Sequence, residues 1–123
     1  VRIFKTKWFD RFACKFDIPN SMLIEAVERA ENGLVDADLG SGVLKQRIAR
    51  AGEGKSKGHR AIILLRKGDR AFFVYGFSKK DRDSLRQDEE ERFRKMAGSY
   101  FSLSESDLSG LLAIGDFMEV KNG

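Results

Sequence analysis

The chain has 123 residues, 41% of them hydrophobic and 34% charged, with a formal net charge of +4. That length supports one hydrophobic core and not two, and the composition is that of a globular chain, not a disordered one. One cysteine (Cys14) and one histidine (His59) exclude disulfide frameworks, zinc fingers and catalytic centres built on several of either, so no metal or cofactor is expected. No apolar run approaches the roughly 20 residues that span a bilayer, and no signal-peptide pattern opens the chain. No membrane partner is expected, and the single cysteine suits a reducing compartment.

Residues 1–4 read as a short strand. Thr6 is placed to cap a helix whose apolar positions Trp8, Phe9, Phe12, Ala13 and Phe16 recur at helical spacing, and the Trp8/Phe12/Phe16 face reads as core. Pro19 ends that helix. A second runs from Asn20 or Ser21 to about Asn32, with Met22, Leu23, Ala26, Val27 and Ala30 on its buried face and Gly33 as its stop. Residues 34–42 form a loop ended by two glycines.

The periodicity then changes to two. In residues 43–49, Leu44 and Ile48 point one way, Lys45 and Arg47 the other. Residues 50–58 are glycine-rich. Residues 59–66 contain the continuous apolar run Ala61-Ile-Ile-Leu-Leu65, as expected of a strand covered on both faces. Gly68-Asp69 centres a hairpin turn, and residues 71–77 return as another central strand, completing an antiparallel meander. Beyond the basic 79–82 segment, Asp88 to Glu91 suit a helix N-terminus, with Phe93, Met96, Ala97 and Tyr100 as the buried stripe. Ser104-x-x-Asp107 resembles a capping box before Leu108, Leu111 and Leu112, and Gly115 ends that turn. Residues 116–123 carry no clear pattern. The whole reads as one α+β domain over residues 1–123. An N-terminal helical hairpin packs on a small, mostly antiparallel sheet with a C-terminal helix, the core at about 2–101 and a helical extension at about 104–123.

Charge is unevenly distributed. Residues 43–82 hold twelve basic and three acidic side chains, a balance of +9, whereas residues 1–42 balance at −1 and residues 83–123 at −4. A middle third this basic invites a polyanion if the fold gathers its charges. Ala49-x-x-x-x-Gly54-Lys55-Ser56 fits a relaxed phosphate-loop pattern, but that chemistry needs a helix immediately afterwards, and here Lys57-Gly-His-Arg60 leads into a strand. Nucleotide hydrolysis is therefore set aside, and Lys55 and Lys57 are read as loop cations able to reach a phosphate backbone. Lys45 and Arg47, two apart, leave the sheet on one face. Arg60 enters the next strand beside them, and Lys79, Lys80 and Arg82 follow the strand after that.

Four stretches carry a resemblance: Lys5-Thr-Lys-Trp-Phe9, Asp36-Ala-Asp-Leu-Gly-Ser-Gly-Val-Leu-Lys-Gln-Arg47, Gly58-His-Arg-Ala-Ile62 and Tyr75-Gly-Phe-Ser-Lys-Lys-Asp-Arg82. In this order they resemble the RelE/HigB branch of bacterial toxins, the toxin halves of type II toxin–antitoxin modules. The resemblance covers about residues 2–101. It implies a bacterial cytoplasmic endoribonuclease that enters the ribosomal A site and cuts mRNA there by attack of a ribose 2′-hydroxyl on the adjacent phosphate. It implies Lys45 and Arg47 in base and phosphate-binding roles, Arg60 on the scissile phosphate, and Lys79, Lys80 and Arg82 as the basic cluster after the last strand. A lysine serves as a base only when neighbouring cations favour its neutral form, and this cluster supplies such neighbours.

Two departures from the family pattern leave the proton donor unassigned. The segment after the cluster, Asp83-Ser-Leu-Arg-Gln87, has neither the tyrosine nor the histidine found in relatives. His59 stands where a tyrosine often precedes the strand arginine and is a candidate RNA contact alongside Lys55 and Lys57. The resemblance also implies a cognate antitoxin, commonly one with a helix-turn-helix DNA-binding domain. The acidic C-terminal part, with Phe117 and Met118, is a candidate for that contact or for packing on the domain itself. Two alternatives stay open: a ParE-like poison of DNA gyrase, and a non-catalytic module that binds RNA or protein.

Overall fold

A computed structural model describes residues 1–48 and 58–121. Apart from Gly58, the glycine-rich stretch at 50–58 lies outside the described residues, as does the phosphate-loop pattern at 49–56, with Lys55 and Lys57. Strand β1 (Arg2–Thr6) leads into α1 (Lys7–Lys15) and α2 (Asn20–Glu31). Then come β2 (Ala37–Asp38), β3 (Val43–Ile48), β4 (His59–Arg66) and β5 (Arg70–Ser78), followed by α3 (Gln87–Phe101), α4 (Glu105–Ala113) and β6 (Phe117–Glu119). Among the described residues this is a mixed α+β fold built on a six-stranded sheet of order β2-β3-β4-β5-β1-β6.

Local signals act where the sequence carries them. The Thr6 side chain accepts a hydrogen bond from the Phe9 amide at 3.1 Å, capping α1. Ser104 caps α4 through the Asp107 amide at 3.0 Å. Asn32 is the C-cap of α2, and Gly33 follows it with φ +80°. The β4–β5 turn closes from the Asp69 amide to the Arg66 carbonyl at 3.0 Å, so its centre is Lys67-Gly68, one residue earlier than expected.

The apolar run of β4 is explained by layers on both sides. Ala61, Ile63 and Leu65 join Leu44, Ile48, Phe73 and the apolar faces of α1 and α2 in one core cluster. Ile62 and Leu64 join Val43, Phe72, Ala97 and Leu108 in the other, beneath α3 and α4. Strands β3, β4 and β5 form the expected antiparallel meander, with a register irregularity between Ile62 and Ile63.

Three features were not legible. Strand β1 lies inside the sheet and runs parallel to β5, pairing Arg2 with Arg70 through Lys5 with Phe73. The tail adds β6 antiparallel to β1, so Phe117 is 5% exposed and packs against Phe72 and Tyr100 instead of facing a partner. The loop before β3 contains the short strand β2, paired with β3 at Ala37–Lys45 and Asp38–Leu44. The reading of the α1 aromatic face as core needs one correction: Phe12 is buried, but Trp8 is 44% exposed.

Candidate functional site

The alternation of β3 puts Lys45 and Arg47 on the face away from α1 and α2, while Gln46 points beneath those helices. Its side-chain amide donates to the Ala26 and Leu34 carbonyls at 3.0 and 2.9 Å. Register then fixes two cross-strand rows. One runs Lys45, Ile62, Tyr75; the next runs Arg47, Arg60, Phe77. Two guanidinium side chains therefore stand opposite each other on neighbouring strands, an arrangement that like-charge repulsion disfavours. Arg60 is 6% exposed, and its Nε donates to the Asp36 carboxylate at 2.9 Å. Among the described residues, Arg60 Nη1 and Arg47 Nε find no acceptor. Arg47 also lines a groove of about 290 Å³ with Arg29, Asp36 and Gln46, and the Arg29 guanidinium donates to the Arg47 carbonyl at 2.7 Å.

The third basic group arrives from the turn after β5. The Ser78 carbonyl accepts from the amides of Asp81 and Arg82 at 2.9 and 3.1 Å, and its hydroxyl accepts from the Lys80 amide. This turn leaves Lys79 and Lys80 exposed and folds Arg82 back over the sheet. Arg82 lies over the Phe77 ring at 5.7 Å, donates to the Tyr75 hydroxyl at 3.4 Å and grips both oxygens of Glu89. The Arg82 hydrogen bond, helped by the Arg86 amide, pushes the Glu89 carboxyl down to about 2 against the opposing effect of burial. Lys45 donates to the Asp83 carbonyl at 3.4 Å, tying β3 to the same loop.

Lys45, Arg47, Arg60 and Arg82 therefore sit on one face toward one end of the sheet, with Lys79 and Lys80 at its rim. Arg66, Lys67 and Arg70, the remaining described cations of the basic segment, sit at the opposite, hairpin end. There Arg70 is 8% exposed and bonded to the Leu103 carbonyl. His59 falls on the other side of the sheet from Arg60, buried against Phe16 and Phe12 at ring distances of 4.5 and 5.6 Å. Sequence reasoning missed Asp36 and Glu89, the carboxylates that hold Arg60 and Arg82, and Tyr75, whose hydroxyl meets the cation row. Asp36 stands within a quoted motif, yet nothing local pairs it with a residue two strands away. Among the described residues, no group of three or more His, Cys, Asp or Glu is placed to hold a metal ion, and no helix is long and apolar enough to cross a membrane.

A family model described as the RelE toxin of the RelE/RelB toxin–antitoxin system matches residues 1–120. The chain belongs to the RelE toxin family. It is thus the toxin component of a toxin–antitoxin system, and its cognate partner is a RelB-type antitoxin. A comparison with curated proteins gave no significant match. Arginines also face one another at the hairpin end, Arg66 opposite Arg70 and Arg70 beside Arg2, but there Asp69, Glu105 and Glu119 offset them. What marks the basic end is that, among the described residues, Arg47 Nε and Arg60 Nη1 find no acceptor.

Proposed function

We propose that this toxin is a ribosome-dependent mRNA endonuclease, an mRNA interferase, that works with Lys45, Arg47, Arg60, Lys79, Lys80 and Arg82. The observation that carries the reading is the Arg47–Arg60 opposition in a row next to Lys45 and Arg82. Facing guanidinium groups weaken a sheet, and an oxyanion bridging them turns the repulsion into attraction. In this reading Lys45 takes the proton of the ribose 2′-hydroxyl. The 2′-oxygen attacks the adjacent phosphorus, Arg47 and Arg60 hold the phosphorane oxygens, and the 5′-oxygen leaves with a proton, giving a 2′,3′-cyclic phosphate and a 5′-hydroxyl. Lys79 and Lys80 draw in the RNA backbone.

Tyr75 is our assignment for the proton donor. Arg82 donates to its phenolic oxygen, which leaves the hydroxyl hydrogen free to pass to the leaving 5′-oxygen. His59, on the α1 side of the sheet, takes no part in the transfer, and its contribution to RNA contact runs through the start of β4. We further propose that the antitoxin carries a helix-turn-helix DNA-binding domain.

Induction of the toxin in cells followed by 5′-end mapping of mRNA tests the activity. Cuts phased with the reading frame are expected, and intact mRNA during growth arrest refutes it. If arrest comes with inhibited DNA supercoiling, the ParE-like reading replaces it.

A further inference from the structure

Strand β1 pairs with β5 only as far as Phe73, and beyond that point the rings of α1 lie against β5. A Cβ at Gly76 would come within 2.4 Å of the Phe12 ring, so the absent side chain is what lets Phe12 settle there. Trp8 stacks on Tyr75 at 4.7 Å and on Phe12 at 5.7 Å, and Phe12 continues to Phe16 at 5.0 Å. The 8, 12, 16 spacing makes this one ladder of rings along a helix. Arg11 and Lys15 flank it with the same four-residue spacing, Lys15 lying over the Phe16 ring at 5.3 Å. Among the described residues, Trp8, Arg11, Phe12, Lys15 and Phe16 line a groove of about 260 Å³.

We infer that this α1 groove is a stacking platform for an unpaired nucleobase of the RNA strand, with Trp8 as the ring that meets it. The inference rests on the endonuclease reading and adds the means by which the strand is held beside the cut. Two observations favour a nucleic acid over a protein helix as the occupant. Among the described residues the groove's lining is aromatic and cationic, the pairing that single-stranded RNA sites use for base faces and phosphates, with no aliphatic side chain to receive a partner's leucines. It also connects to the basic end of the sheet through Trp8, which touches Tyr75, whose hydroxyl meets Arg82.

Trp8 is the sole tryptophan of the chain, so its emission reports directly on the groove. The probe is a 2′-O-methyl hexaribonucleotide, which lacks the attacking hydroxyl, compared with a base-free strand of equal phosphate number. Fluorescence anisotropy of the labelled probe measures binding independently. Binding of the base-bearing strand is expected to quench Trp8, and binding of the base-free strand is not. Trp8→Leu should weaken binding of the base-bearing strand about tenfold and leave the base-free strand unchanged, while Trp8→Phe keeps most of the affinity. Binding without quenching, no binding, or equal binding by Trp8→Leu overturns the inference. Quenching by the RelB-type antitoxin but not by RNA overturns it in favour of a protein contact. The two readings fail separately: phased mRNA cuts with a silent Trp8 remove the platform alone, and quenching with intact mRNA removes cleavage alone.

Discussion

The Arg60–Asp36 pair distinguishes a residue kept for function from one kept for stability, because its two halves should respond differently to removal. Asp36→Asn leaves a guanidinium that is 6% exposed facing Arg47 with its one carboxylate gone. Stranding a buried charge costs about 3–5 kcal/mol, and because a quarter of the Asp36 side chain is exposed, a loss of about 2 kcal/mol is the appropriate figure. Arg60→Leu has the opposite balance. It loses the same ion pair, but the carboxylate left behind can hydrate. The repulsion from Arg47 disappears, worth roughly 0.2–1 kcal/mol, and an apolar side chain now fills the space beside Phe77, worth on the order of 1 kcal/mol. The net change should lie within about 1 kcal/mol of zero. Urea unfolding of both variants measures the difference, and induction in cells measures activity. Arg60→Leu should fold as well as the parent and leave mRNA uncut. If it unfolds several times more readily than Asp36→Asn, Arg60 is a structural residue and its place in the proposed mechanism is wrong.

The Glu89 carboxyl is held at about 2 by Arg82, below its ordinary 4.5, so this contact stabilises the fold fully above about pH 5 and is lost as the pH falls toward 2. Denaturation midpoints measured between pH 7 and 2.5 should therefore decline less steeply for Glu89→Gln, and parallel curves would contradict the assignment. Tyr75→Phe keeps the ring that stacks on Trp8 and removes the hydroxyl; it should lower cleavage by programmed ribosomes at least a hundredfold without changing the unfolding midpoint. Gly76→Ala drives a methyl group into the Phe12 ring and should cost about 1–3 kcal/mol, read as a lower thermal midpoint. In RNA-binding titrations against salt, Lys80→Ala and Arg60→Leu should each reduce the slope by about 0.7, because each removes one phosphate contact and the counterion released with it.

What the sequence made legible is what neighbouring residues decide. Thr6, Ser104 and Gly33 announce helix ends because capping involves residues two or three positions apart. Ala61 to Leu65 announce a strand covered on both sides because each residue meets one of two apolar layers. The basic side chains of β3 share a face by alternation alone. Pairings across long stretches of chain leave no such trace. Nothing near Arg2 indicates that β1 inserts beside β5, and nothing near Phe117 indicates a second neighbour for β1. Asp36 and Glu89 looked like a loop acid and a helix-start acid until the register brought Arg60 and the turn after β5 brought Arg82. Trp8 misled for a related reason. Helical spacing shows which side of α1 is apolar, but β1 stops at Thr6, so part of that side covers a strand edge and part of it meets solvent.

Strand length is what opens the basic end. Strand β2 pairs with β3 only at Leu44 and Lys45, and β1 pairs with β5 only up to Phe73. Among the described residues, the row of Arg47, Arg60 and Phe77 is therefore flanked by no strand on either side, while the rows nearer the β4–β5 hairpin lie within the full sheet and under two helical layers. A guanidinium placed in those inner rows would have to be desolvated against Phe72 and Leu64, and the arginines at that end, Arg2, Arg66 and Arg70, are held by Glu105, Glu119 and Asp69 and, for Arg70, by the Leu103 carbonyl. At the open end the same charge keeps contact with water through Arg47 and the lysine rim, and two carboxylates are enough to hold the rest. In the proposed mechanism phosphate takes the place of those carboxylates, an exchange that would require no part of the core to move. A RelE-type fold can in this way gather cations at one end of its sheet while its stability rests on the covered end of the same sheet.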